Sequence, residues 1–123
     1  MKIVLKGERP VSWNRIYESR SYWVRKKIVD NAHKAVHDAM LEMNIRPLDK
    51  KRLFEEKVNI KVTAYFNNRP LDPDNIPEKL YIDGLKDYLL RDDSMKWVNA
   101  VTTISRVDRE NPRMEIYITP IEK

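Results

Sequence analysis

The chain contains no cysteine, which excludes disulfide bonds and thiolate-held metals. It has only two glycines. Hydrophobic residues make up 41% and charged residues 35%, a balance that argues against a disordered tail and for a folded core under a strongly charged surface. No stretch approaches the roughly 20 apolar residues that a membrane-spanning helix needs, and Met1 to Glu8 holds too short an apolar run for a secretory signal. The expectation is a cytoplasmic protein with no membrane partner. A length of 123 residues suits one domain, 1–123, with a single core.

What the chain does have is charge, unevenly distributed. From Asp72 to Asp93 there are seven carboxylates and three cations, a net of −4, while the remainder carries 21 cations and 12 carboxylates, a net of +9. Basic flanks around an acidic centre suit a protein that grips a polyanion and holds a divalent metal, which points to a metal-dependent nuclease.

The hydrophobic periodicity predicts an α/β (α+β) fold of order β-α-β-α-β-β: a mixed, mostly antiparallel sheet with helices packed on one face. Lys2 to Lys6 reads as a strand and Gly7 to Tyr17 as a loop. Val24, Ile28, Ala32, Ala35, Val36, Ala39, Met40 and Met43 repeat at helical spacing, predicting a long helix over about 21–43, closed before Pro47. Val58, Ile60, Val62 and Ala64 alternate with polar residues as in a strand with one buried face, and Asn67 to Pro73 forms a turn. Asn75 is placed to cap a second helix ending near Leu90 or Arg91, with Pro77 and Glu78 in its first turn and Leu80, Leu85, Tyr88 and Leu89 as its inner face. Trp97 to Val107 and Met114 to Ile118 are strand-like, and residues 108–112 between them read as a hairpin turn.

Asp72 and Asp74, two positions apart in an extended segment, point to the same side, as ligands of one cation do. Asp92 and Asp93 follow about 20 residues later. Magnesium takes hard oxygen ligands and keeps several waters, so two or three carboxylates completed by phosphate oxygens suit it. The same Asp-Pro-Asp-Asn string also makes a good turn and helix start.

Asp72-Pro73-Asp74-Asn75, Lys79, Asp83-Gly84-Leu85 and Asp92-Asp93, in that order, resemble the signature of RusA-type Holliday junction resolvases, a family of crossover junction endodeoxyribonucleases. Ser12-Trp13-Asn14-Arg15-Ile16-Tyr17 is similar to that family's N-terminal loop. The resemblance implies a small homodimeric endonuclease of bacterial, archaeal or phage context that nicks two opposing strands of a four-way DNA junction. It implies magnesium, with manganese able to substitute, held by Asp72, Asp74 and Asp93, and an essential Lys79. The chain departs from the pattern in placing three residues rather than two between Asn75 and Lys79, a shift that within a helix rotates the side chain by about 100°.

Around these acids, Asn14, Arg15, Tyr17, Arg69 and Lys79 are candidate phosphate contacts, with Arg20, Arg25, Lys26 and Lys27 and the Lys50-Lys51-Arg52 cluster as possible extensions. Lys79 could instead form a surface pair with Asp83. Trp13, Trp23 and Trp97 could stack on unpaired bases or belong to the core or a dimer interface. His33 and His37 share a helix face but lack a third ligand nearby. Two rival readings are a non-catalytic basic nucleic-acid-binding module and a nuclease for other branched or flap DNA.

Overall fold

The computed structural model describes residues 1–47, 54–86, 88–90 and 94–121. Its centre is a four-stranded sheet built from β1 (Lys2–Lys6), β2 (Val58–Phe66), β3 (Val98–Val107) and β4 (Arg113–Pro120), in the order β1-β4-β2-β3. The β1–β4 and β4–β2 pairs are antiparallel and β2–β3 is parallel, so the sheet is mixed and mostly antiparallel.

The alternation along each strand decides which face is buried. Val58, Ile60, Val62, Ala64 and Phe66 of β2 share the inner face with Met114, Ile116 and Ile118 of β4 and Ile3 and Leu5 of β1. Helix α2 (Tyr22–Glu42) supplies Ala32, Val36, Ala39 and Met40 to the same core, and α3 (Glu78–Leu85) supplies Tyr81, Ile82 and Leu85. On the opposite face lie Lys61, Tyr65, Arg113 and Tyr117, with Glu115 buried beneath Lys2 at 2.7 Å. Glu42 and Met43 end α2, where Asn44 takes a left-handed φ of 60° and Ile45 turns back into the core. No described helix is long and apolar enough to cross a membrane.

Four sequence expectations are corrected. Residues 108–112 do not close a hairpin, because β2 lies between β3 and β4. The segment bridges the end of β2, where the Asp108 amide donates to the Phe66 carbonyl at 2.8 Å. The Asp108 carboxylate accepts from the Glu110 and Asn111 amides and pairs with Arg113, so a strong local turn sits on a non-local connection.

Part of the expected 7–17 loop is a helix, α1 (Trp13–Glu18). Ser12 Oγ accepts from the Arg15 amide at 3.1 Å, and buried Ile16 pins the turn to the body. The second long helix is shorter than its apolar pattern suggests. A 3-10 turn, Pro73–Asn75, precedes α3, whose N-cap is Pro77 rather than Asn75, and α3 stops at Leu85. Leu89 is buried without helical geometry, which explains why it reads as part of an inner helical face. Finally, Val24 and Met43 are exposed, and the buried stripe of α2 begins only at Ala32.

Because β2 and β3 are parallel, the chain between them must cross over rather than turn back. The acidic segment and α3 are that crossover, and its 3-10 turn packs against β3.

Candidate functional site: an acidic cleft beside the N-terminal helix

Asp72 is extended (φ −65°, ψ 148°), but Pro73 then starts a single 3-10 turn that contains Asp74, so the extended stretch expected to point both carboxylates to one side is not formed. The Asn75 amide closes that turn by donating to the Asp72 carbonyl at 2.9 Å. The Asp72 side chain makes no capping hydrogen bond. Asp72 and Asp74 are both exposed, and neither carboxylate is engaged by any described residue.

Helix α1 faces this turn. The Asn14 amide donates to Asn75 Oδ1 at 3.0 Å, tying together segments 61 residues apart. Trp13, Asn14, Tyr17, Asp72, Asp74 and Asn75 line one open cleft of about 470 Å³. Trp13 and Tyr17 stack along its wall, with centroids 5.5 Å apart and planes 15° from parallel. Asn75, expected as a helix cap, is instead the clasp that holds α1 against the acidic turn. Its place in the Asp-Pro-Asp-Asn string marked it as structural, but nothing local named Asn14 as its partner.

A second tie lies behind the cleft. The Tyr81 hydroxyl of α3 donates to Glu8 Oε2 at 3.0 Å, anchoring the segment that leads into α1. Burial holds the Glu8 carboxyl above its ordinary value, outweighing the hydrogen bonds from Tyr81 and the Arg9 backbone. Burial likewise keeps the Tyr81 phenol protonated. The sequence offered no signal for this pair, since Glu8 sits in a charged loop and Tyr81 among helical apolar positions.

The other expected residues are placed as follows. Arg15 is exposed on α1 outside the cleft lining, and Arg69 is exposed in the turn after β2 with a left-handed φ of 46°. Lys79 stands on the first turn of α3, with Nζ 3.7 Å from Asp83, which also takes Lys86 at 3.4 Å. The surface pairing with Asp83 is therefore present, and Lys79 is not among the residues lining the cleft. Asp92, Asp93 and the Lys50-Lys51-Arg52 cluster lie outside the described residues. Among the described residues no three carboxylate or imidazole groups converge. His37 meets the Tyr88 hydroxyl, and His33 packs by Gly84 with its Nε2 buried. Trp97 is half-buried, with the Lys96 ammonium 5.3 Å from its ring.

Asp72 and Asp74 line one open cleft and are engaged by no described residue, so their hard oxygen donors are the residues that could hold a magnesium-type ion, which needs few protein ligands and fills its other positions with water and phosphate oxygens. The chain matches no protein-family model, and no curated protein matches it.

Proposed function

We propose that this chain is a RusA-type, metal-dependent endonuclease that cuts branched DNA, the four-way junction foremost. The observation that carries the reading is the cleft itself: Asp72 and Asp74, without partners among the described residues, line it together with Asn14 and Tyr17 of a helix in the basic part of the chain. Carboxylates serving only as helix caps would be spent on backbone amides, and Asp72 makes no such bond.

In this reading Asp72 and Asp74, with Asp93 as the third ligand, hold magnesium or manganese. When bound, the ion neutralises charge at the scissile phosphate and lowers the pKa of a coordinated water. Asn14, Arg15, Tyr17 and Arg69 position the sugar-phosphate backbone without reading sequence. Lys79, released from Asp83, adds positive charge near the phosphate as charge develops there. A homodimer supplies two clefts for paired nicks, since a junction with approximate two-fold symmetry suits a two-fold protein. The working compartment is the cytoplasm, where the DNA is.

The test is cleavage of a synthetic four-way junction with and without magnesium. Asp72→Asn and Asp74→Asn should each lower the cutting rate by about 100-fold or more while leaving junction binding in place, because the loss of charge stabilisation amounts to several kcal/mol. Undiminished cutting by either variant sinks the assignment. Binding without any metal-dependent cutting by the wild type would favour a non-catalytic binding module.

A further inference from the structure

Deepening the nuclease reading, and resting on it for the identity of the polymer, we propose that Tyr17, Tyr22 and Trp23 form a stacking platform for the unpaired bases of a single DNA strand leading to the acidic cleft. These side chains are 75%, 60% and 74% exposed, so none of them serves the core. The first six residues of α2, 22–27, are exposed on every side, and the helix projects from the body before its buried stripe begins at Ala32. Scattered surface hydrophobics are ordinary, but large aromatic rings gathered on one projecting corner are not.

The corner is built rather than frayed. Ser21 Oγ caps α2 by accepting from the Val24 amide at 3.4 Å, and Arg25 Nη1 donates to the Ser19 carbonyl at 2.7 Å across the bend from α1. Tyr22 and Trp23 meet edge to face with centroids 5.2 Å apart. Tyr17, stacked on Trp13 in the cleft, stands near the end of α1, and Tyr22 and Trp23 open α2, so the three rings flank the short bend that joins the two helices.

Charge selects the occupant. Between Trp13 and Lys27 the chain has five cations and one carboxylate, Glu18. Lys26 is engaged by Asp30 and Arg25 by a carbonyl, while no described residue engages the side chains of Arg15, Arg20 or Lys27. Alternating π faces and phosphates are the repeat of a single nucleic-acid strand, which stacks on aromatic rings and follows positive charge. A duplex keeps its base faces against one another. A second copy in a two-fold contact would set this positive corner against itself, at a cost in like-charge repulsion.

The probe is a fluorescein-labelled oligothymidylate of about 20 nucleotides, whose bases stack without pairing, followed by anisotropy in EDTA with a duplex of equal length as comparison. Trp23→Ala should weaken oligothymidylate binding by about 5- to 100-fold and duplex binding far less. Trp23→Phe should retain most of the affinity, and Val24→Ala, changing an exposed aliphatic neighbour, should retain all of it. Equal affinity of Trp23→Ala and wild type overturns the platform, as does an equal loss for duplex and single strand. So does conversion of a dimer to a monomer by Trp23→Ala with oligonucleotide affinity unchanged. Junction cleavage by Asp72→Asn separates the two claims. If it cuts normally while Trp23→Ala loses single-strand binding, the nuclease reading falls and the platform stands; if it fails to cut while Trp23→Ala binds normally, the platform alone falls.

Discussion

Glu8 and Gly84 show how single positions far from the acidic turn govern its support. Because the folded state raises the Glu8 carboxyl above its ordinary value of 4.5, the folded chain binds that proton more tightly than the unfolded chain. Its contribution to stability is therefore whole below the unfolded value and is lost as pH rises through the folded one. Glu8→Gln keeps an acceptor for Tyr81 without the buried charge. Its urea midpoint should match the wild type's at about pH 4 and exceed it at about pH 8, the reverse of the usual carboxylate behaviour. A gap that widened toward acid would contradict this. At Gly84, a Cβ would lie 3.2 Å from both Cβ and Cγ2 of Val36, which is fully buried and has little room to yield. Gly84→Ala should cost about 1–2 kcal/mol, overpacking exceeding the gain in helix propensity, as read from denaturant unfolding. The Asp83-Gly84-Leu85 string thus has a structural reason: the glycine lets α3 close on α2.

At the level of elements, α1 is the part most exposed to a local change. It has six residues and one buried side chain, Ile16, so its geometry depends on the Ser12 cap and the Asn14–Asn75 bond. Ser12→Ala should cost about 1 kcal/mol and also weaken junction binding, because the same turn places Asn14 and Tyr17 in the cleft. Unchanged binding with the expected loss of stability would separate α1 from DNA contact. That α1 is a helix was hard to read locally, since its apolar content is too small for a periodic pattern and its stability comes from a cap and tertiary ties. The shortened α3 is the converse case. Leu89 fits a helical face by spacing but is buried outside the helix, and spacing cannot distinguish the two.

For the whole molecule, the charge is unevenly divided: −4 from Asp72 to Asp93 and +9 elsewhere. For the proposed nuclease, counterion release should make the logarithm of the DNA affinity fall linearly with the logarithm of salt concentration. Arg20→Ala should reduce the steepness of that line by about one unit while leaving metal-dependent chemistry on bound DNA intact. Chelation should do the opposite, abolishing cutting and sparing binding. An unchanged salt slope for Arg20→Ala would remove it from the DNA-contacting surface.

Read by itself, the chain determined its long helix, its central strand, its mixed fold class and its acidic centre within basic flanks, because each is written in residue spacing or charge over short stretches. Tertiary structure decided the rest: β4 beside β2 in place of a hairpin with β3, Trp23 in solvent rather than in the core, and Asn14 clasped to Asn75. Periodicity records which side of an element is buried. It does not record what lies opposite, because strand neighbours and distant contacts are chosen by the joint burial of faces from the whole chain.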